Sequence, residues 1–176
     1  MKRPIIRILA LTLAVLCLIP LAACGKKTTL QDHGSTPKAA ILSYVQKNQE
    51  MLDEVADYIA GQGGDSYYFF TGTKRGASTV EQLDFGGDTN TRVECKNKTI
   101  GKLAKARFTG EVACTDSMPD GFVSFRTYLS KDNYAFYFIY CPTEECVTYI
   151  TNGFFTREQT ITSQPIVGNW YYVEVL

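Results

Sequence analysis

The stretch between Thr36 and Gly61 carries the longest helical pattern in the chain. Its apolar residues recur at spacings of three and four, the period of a helix with one apolar face. Thr36 suits the N-cap, Pro37 suits the first helical position, and Gly61 ends the pattern. Charged side chains fall mostly on the opposite side, namely Lys47, Glu50, Asp53, Glu54 and Asp57. We expect an amphipathic helix that packs on a sheet of its own fold, and a helix that binds a partner is the alternative.

The rest of the chain, after Gly64, changes to a period of two. Runs rich in β-branched and aromatic residues are separated by turn residues, which is typical of antiparallel strands with short links. Asn152-Gly153 is a typical hairpin turn. Ser78 and Glu81 also fit a capping box, so a short helix is the alternative for 78–85. The predicted strands cover residues 67–71, 79–85, 90–96, 105–115, 121–129, 134–140, 146–151, 154–161 and 169–175.

The order of these elements predicts the fold class. One N-terminal amphipathic helix followed by a curled antiparallel meander of about 7–9 strands makes an α+β fold. The run 134–140 is apolar on both faces, because Tyr137 and Ile139 lie between aromatic residues of the other face. It predicts a strand covered on both sides, and an exposed aromatic platform of the kind that stacks sugars is the alternative.

The first two dozen residues have the pattern of an export signal. Lys2, Arg3 and Arg7 form a short positive region ahead of an apolar run over 8–21. That run is shorter than the roughly 20 apolar residues that span a bilayer. A positive start, a short apolar run and small residues at its end are typical of a signal peptide, and a signal anchor is the alternative.

The apolar run ends in Leu21-Ala22-Ala23-Cys24, which resembles the lipobox of bacterial lipoproteins. The resemblance implies that a signal peptide of residues 1–23 is removed and that Cys24, as the new N-terminus, is acylated. Each buried CH₂ contributes about 0.8 kcal/mol, so two or three acyl chains anchor a protein without a transmembrane helix. The implied location is the extracytoplasmic face of the cell membrane, or the outer membrane if the organism has two membranes.

Beyond the signal peptide the chain divides into two parts. Residues 24–36 begin with the cysteine whose lipidation the resemblance implies, and the polar segment that follows it, with Leu30 as its one large apolar residue, predicts a flexible tether. Residues 37–176 predict a single α+β domain. The ending NWYYVE at 169–174 resembles the last strand of small uncharacterised exported lipoproteins of Gram-positive bacteria, a group that implies no activity.

Charge excludes one class of partner. The chain has 18 Lys plus Arg and 18 Asp plus Glu, so no excess of positive charge is available for nucleic acid. One window, from 92 to 107, is nonetheless basic, with Glu94 as its one acid. Its cations are the candidate site for an anionic cell-wall polymer or lipid headgroups, and a solvated hairpin is the alternative. They are Arg92, Lys96, Lys98, Lys102, Lys105 and Arg107.

Four cysteines remain once Cys17 leaves with the signal peptide and Cys24 carries lipid. An even number of cysteines in an exported domain favours disulfides. Local pairing predicts the bridges Cys95–Cys114 and Cys141–Cys146. Zinc binding and redox exchange are the alternatives, but the spacing lacks the close cysteine pairs typical of both. A reducing envelope would leave all four as thiols.

Histidine chemistry is excluded from the predicted domain, because His33, the one histidine, lies in the predicted tether. Ser-His-Asp and Cys-His catalysis need an imidazole, as do His-ligated metal sites. We therefore expect no cofactor and no metal. Paired carboxylates are the remaining catalytic route and would suit glycan hydrolysis, yet no pair stands out. The acids on or next to predicted strands are Glu81, Asp84, Glu111, Asp116 and Glu174.

These features predict a membrane-anchored lipoprotein whose domain is a non-catalytic binding or accessory module at the cell envelope. The expected partners are the membrane, through the lipid on Cys24, and an envelope protein or cell-wall polymer. The alternative is an envelope glycan hydrolase that uses paired carboxylates. A purely structural or inhibitory tethered domain is a third hypothesis.

Overall fold

The computed structural model describes Leu30 and residues 36–62, 66–74, 77–84, 91–127, 135–152 and 159–175. In this part of the chain one antiparallel sheet of eight strands and three helices make an α+β fold, so the predicted α+β class with a curled antiparallel sheet is confirmed, whereas the predicted N-terminal position of the helix is wrong. The helices are α1 (Pro37–Ala60), α2 (Gly101–Lys105) and α3 (Glu144–Asn152). The strands are β1 (Tyr67–Lys74), β2 (Ala77–Asp84), β3 (Thr91–Glu94), β4 (Gly110–Cys114), β5 (Val123–Thr127), β6 (Ala135–Tyr140), β7 (Ile161–Val167) and β8 (Trp170–Val175).

The sheet is curled but not closed, and its strand order is β3-β2-β1-β4-β5-β6-β8-β7. All neighbouring strands are antiparallel. The order differs from a meander at two places. The connection from β3 to β4 contains α2 and passes β2 and β1, and the connection from β6 contains α3 and leads to the edge strand β7. Both differences arise because a helical connection reaches farther than the short turn of a hairpin.

Helix α1 has the bounds that its capping residues predict. Thr36 has an extended backbone, and its hydroxyl accepts a hydrogen bond from the Ala39 amide at 3.2 Å. Gly61 follows the last turn as the C-cap. At Asn48 the backbone leaves helical geometry (φ −116°, ψ 16°), and the side-chain amide donates to the Tyr44 carbonyl at 2.8 Å. The helix therefore kinks at a residue whose side chain competes for a backbone carbonyl.

The prediction of a single helix is wrong, because α2 and α3 also form. Residues 146–151, predicted as a strand from their composition, lie in α3. The Thr143 hydroxyl accepts from the Cys146 amide at 3.3 Å, and the two acids of the first turn favour the positive end of the helix dipole. Cys146 and Ile150, both buried, are four residues apart, as one helix face requires. The hairpin at Asn152-Gly153 is wrong as well, since Asn152 ends α3 and Gly153 lies outside the described residues.

Three other predicted runs change. Within the run 78–85, residues 78–84 lie in strand β2, so the helix alternative is wrong there, and residue 85 lies outside the described residues. The run 105–115 divides into the end of α2 and strand β4. The predicted strand 154–161 lies mostly outside the described residues, and β7 begins only at Ile161. The sequence does not predict β7, because it contains Pro165. Proline has no backbone N–H to donate to a neighbouring strand and is tolerated only on an edge strand, which β7 is.

Helix α1 covers one face of the sheet, which we call the α1 face. The centre of this core is a cluster of three fully buried aromatic rings, Phe125, Phe138 and Trp170. The ring centroids of Phe125 lie 4.8 Å from Phe138 and 5.3 Å from Trp170. Ile100, which directly precedes α2, and Leu103, which lies within it, extend the same core towards β1 and β2. The helix prediction that α1 packs on its own sheet is therefore confirmed.

The opposite face of the sheet, the far face, has a second and smaller core. Cys146 and Ile150 of α3 pack there with Ile139 of β6 and Val173 of β8. Phe138 and Ile139 point to opposite faces and are both fully buried. Strand β6 is therefore covered on both sides, as its two apolar faces predict.

Two acids of α1 that the sequence places towards solvent bind the sheet instead. The Trp170 indole donates to the Asp53 carboxylate at 2.7 Å. The Tyr140 hydroxyl donates to the Asp57 carboxylate at 2.8 Å. Both acids stand beside the apolar stripe of α1, one helical turn apart, and both bonds join α1 to neighbouring strands. These bonds, together with the burial of the apolar face of α1, fix the position of the helix along β6 and β8.

Leu30 lies in the segment predicted to be a tether, yet it is fully buried in the core of the α1 face. The folded unit therefore includes a residue ahead of the predicted domain boundary at 37.

We predict that Asp53→Ala destabilises the protein by about 1–3 kcal/mol, because it leaves the buried indole N–H of Trp170 without its acceptor. Asp53→Asn keeps an oxygen acceptor and should lose less. Trp170 is the one tryptophan in the chain, so urea unfolding followed by its fluorescence measures the effect at the site. The matched control is Glu50→Ala on an exposed part of α1, expected within about 0.5 kcal/mol of wild type. Equal stability of the Asp53→Ala and Glu50→Ala proteins would contradict the prediction.

Candidate functional site

The basic window begins at the edge strand β3 and continues through α2. Asn97 organises the turn between them, because its side-chain oxygen accepts from the amides of Thr99 at 2.9 Å and Ile100 at 3.1 Å. Its side-chain amide donates to the Tyr58 hydroxyl of α1 at 2.7 Å. Ile100 and Leu103 are fully buried, so the cationic residues of the segment are left at the surface.

The structure divides the six predicted cations into separate groups. Arg92 lies on the far face, where its guanidinium stacks over the Phe70 ring at 3.6 Å from the centroid. Lys102 lies on the other side of the sheet and forms an ion pair with Glu54 of α1. The other four are exposed to solvent, namely Lys96, Lys98, Lys105 and Arg107. The candidate basic surface therefore consists of these four cations, which we call the α2 cations.

A small pocket opens at the end of α1. Its volume is about 140 Å³, and its lining includes Ile59 of α1, Tyr67 of β1 and the loop after β4 with Asp116 and Asp120. Both aspartates are exposed, and the Ser66 hydroxyl is 3.4 Å from the Asp116 carboxylate. Pockets for drug-sized ligands have volumes of about 300–1,000 Å³. This pocket has room for a small group and not for a sugar chain.

The predicted acids do not meet in a cleft. Glu81 and Glu111 lie on the far face, on the two sides of Phe70, two strand spacings or about 10 Å apart. Glu174 lies on the α1 face and accepts a hydrogen bond from the Tyr172 hydroxyl at 3.2 Å. Asp116 stands at the pocket. The side chain of Asp84, the last residue of β2, lies outside what the structure describes.

A row of charged and aromatic residues crosses the far face. Strand register places Tyr137, Arg126, Glu111, Phe70, Glu81 and Glu94 side by side from β6 to β3. Burial raises the pKa of the Tyr137 hydroxyl, while Arg126 lowers it and Glu111 raises it. The sequence does not show this row, because it depends on which strands are neighbours.

The structure contains no disulfide bond among the four described cysteines. The Cys95 amide donates to the Val80 carbonyl of β2 at 3.0 Å, whereas Cys114 pairs with Tyr67 of β1. The register places Cys95 three strand spacings from the strand of Cys114, which is about 14 Å across the sheet. Along the strand direction the two residues are offset by four positions, which is again about 14 Å. A disulfide requires Cα atoms within about 7 Å. The sheet register therefore excludes the predicted bridge Cys95–Cys114.

The second predicted bridge has a different geometry. Cys141 and Cys146 are both buried in the far-face core. The Cys146 sulfur lies 3.4 Å from the Asp120 carbonyl and 3.2 Å from the Thr143 hydroxyl. Burial raises the pKa of the Cys141 thiol, and the neighbouring Cys146 raises it further, so the protonated thiol is favoured. Cys141–Cys146 stays a prediction.

The described residues offer neither a metal site nor a membrane-spanning helix. No group of three or more His, Cys, Asp or Glu side chains that could hold a metal ion occurs among them. Within the same ranges, no helix combines the length and the apolar character needed to cross a bilayer.

Comparisons with known proteins add no family. No protein-family model matches the chain. No curated protein and no solved structure matches it either.

We predict that peptide mapping of the exported protein under non-reducing conditions recovers Cys95 and Cys114 without a bridge between them. Any intrachain bridge should join Cys141 to Cys146, since the register keeps the other pair apart. Protein oxidised after unfolding in urea is the control, and its pairing should be mixed. Recovery of a Cys95–Cys114 peptide from native protein would contradict the sheet register.

Proposed function

We propose that the protein is a membrane-anchored extracytoplasmic lipoprotein whose domain is a non-catalytic binding or accessory module at the cell envelope. The observation that carries the proposal is the sequence Leu21-Ala22-Ala23-Cys24 after a positive start and a short apolar run. Lipid on Cys24 holds the domain at the membrane surface. Palmitate and diacylglycerol on this residue are the expected modification.

The α2 cations support an anionic partner. Four positive side chains are exposed within twelve residues, and no acid occurs between Lys96 and Arg107. Each basic residue near an anionic surface contributes about 1 kcal/mol to binding. A cell-wall polymer and the headgroups of anionic lipids share this chemistry, and both occur where the anchor would hold the domain.

The hydrolase alternative has less support in the geometry. Catalysis by two carboxylates needs them about 5–9.5 Å apart on either side of a bound sugar. The backbones of Glu81 and Glu111 are about 10 Å apart on a sheet face, and Phe70 lies between the two acids, where a bound sugar would have to stand. The pocket beside Asp116 has a volume of about 140 Å³, which is small for a glycan.

We predict that Cys24→Ser abolishes incorporation of an alkyne-tagged fatty acid when the full chain is expressed in a bacterium. It should also move the protein from the detergent phase to the aqueous phase in detergent partitioning, because no acyl chain remains. The matched control is Cys17→Ser, which removes a cysteine of the same apolar run and should keep the label. Label retained by the Cys24→Ser protein, or lost from the Cys17→Ser protein, would overturn the proposed anchor.

We predict that the triple variant Lys98→Glu, Lys105→Glu and Arg107→Glu weakens binding to vesicles of phosphatidylglycerol and to purified anionic wall polymer. Reversal of three charges should lower the apparent affinity at least about tenfold at low salt. Co-sedimentation at several salt concentrations measures it. The control is Lys47→Glu, which reverses one exposed cation of α1 outside the segment, and its binding should change far less. Equal binding by the triple variant and wild type would refute a role for the α2 cations.

A further inference from the structure

Among the strands that the structure describes, β3 is an edge of the sheet. It lies at one end of the strand order, and all four of its residues, Thr91–Glu94, are exposed. Val93 is 44% exposed and stands out among the large hydrophobic residues of the described chain, the rest of which are more covered. The opposite edge, β7, contains Pro165, which cannot donate a backbone hydrogen bond. An open edge strand without proline is a template for pairing with another strand.

The backbone groups that face away from β2 can be identified. The Cys95 amide donates to the Val80 carbonyl at 3.0 Å, so this position is a hydrogen-bonded pair of the β2–β3 ladder. Hydrogen-bonded and non-hydrogen-bonded pairs alternate along an antiparallel ladder. Val93 is therefore bonded to β2, whereas the N–H and C=O groups of Arg92 and Glu94 point outward.

We propose that β3 pairs antiparallel with β3 of a second copy of this chain, about a twofold axis at Val93. In that register Arg92 of each copy lies opposite Glu94 of the other. The four outward N–H groups and four outward C=O groups pair with one another as two hydrogen-bonded residue pairs. The two Val93 side chains meet as a non-hydrogen-bonded pair, where Cα atoms are closest, at about 4.5 Å.

Charge selects this register over its neighbours. The same outward groups can also pair about a twofold axis at Arg92 or at Glu94. The first places Arg92 opposite Arg92, and the second places Glu94 opposite Glu94. Like charges directly opposite each other destabilise a ladder, and opposite charges stabilise it. The axis at Val93 is therefore favoured, and the interface is self-complementary, as a twofold dimer requires.

The surroundings of Glu94 favour a cation from a second copy. Glu94 lies directly across from Glu81 in the β2–β3 register, so two carboxylates are neighbours on the far face. Arg92 of the second copy would stand on the other side of Glu94. To reach it, that guanidinium must leave the Phe70 ring of its own chain, which exchanges a cation–π contact for an ion pair. The charges therefore determine the register of the dimer, but they add little to its affinity.

One pair of short strands buries little surface, so the contact alone is weak. Formation of the dimer at the concentration of the protein in the cell depends on the proposed function. A lipid anchor would confine both copies to one membrane surface and so raise their effective concentration. The pairing itself is a property of the folded domain and does not need the anchor.

The test is oxidative crosslinking of the full chain in its native membranes. Val93→Cys in a Cys95→Ser background should form a disulfide-linked dimer on addition of diamide, which takes two electrons and two protons from the two thiols. Lys98→Cys in the same background is the exposed control and should crosslink at least about tenfold more slowly. In the wild-type background, Thr91→Cys should crosslink to Cys95 of the second copy, because the same register places 91 opposite 95.

Charge reversal tests the register independently. Arg92→Glu and Glu94→Arg should each slow crosslinking at Val93→Cys by roughly tenfold, because like charges then face each other in both residue pairs. The double variant Arg92→Glu with Glu94→Arg should restore the rate. Fluorescence of Trp170 checks that every variant is folded.

Three outcomes would overturn the dimer. They are a Val93→Cys rate no greater than that of Lys98→Cys, no recovery in the double variant, and a crosslink to a different protein in place of a second copy. The fatty-acid label on Cys24 is scored in the same samples. Labelled protein that does not crosslink refutes the dimer alone, whereas unlabelled protein that crosslinks after purification at high concentration refutes the anchor alone.

Discussion

The hydrogen bond from the Trp170 indole to Asp53 determines how helix and sheet fit together. Trp170 is fully buried, so its N–H needs an acceptor inside the fold, and Asp53 supplies it at 2.7 Å. The same indole ring packs against Phe125 and Phe138 at the centre of the α1-face core. Apolar contacts alone would let α1 slide along the sheet, because they have little directionality. The directed bond removes that freedom and thereby fixes where α2 and the loop after β4 meet α1.

The parts of the fold that depend on local chemistry could be predicted from the sequence. The bounds of α1 follow from Thr36, Pro37 and Gly61, and most strands follow from period-two patterns. Helix α3 could not be predicted from composition, because its β-branched residues favour a strand while Thr143 and the acids after it favour a helix. The burial of Cys146 and Ile150 against β6 and β8 decides between the two, and that contact is long-range.

The sequence predicts which cations belong to the candidate site, but it does not predict how they are arranged in space. The six cations of the basic window are evident in the sequence, yet the strand register sends Arg92 to one face of the sheet and α2 to the other. The same register separates Cys95 from Cys114 although they are near in sequence. Strand neighbours that are distant in the chain decide both, since β4 lies beside β1 and not beside β3.

If Cys24 carries the proposed lipid, the burial of Leu30 limits how far the domain can stand from the membrane surface. If Cys24 sits in the bilayer surface, six peptide units separate it from a residue fixed in the core, which reach about 21 Å at full extension. A globular domain of this length is roughly 35–40 Å across, so the link is shorter than the body it holds. A domain anchored in this way would have little freedom to tumble and would keep one side turned to the membrane. The domain would then contact only partners that lie within about one domain diameter of the lipid headgroups, and it would not reach across the depth of a cell wall.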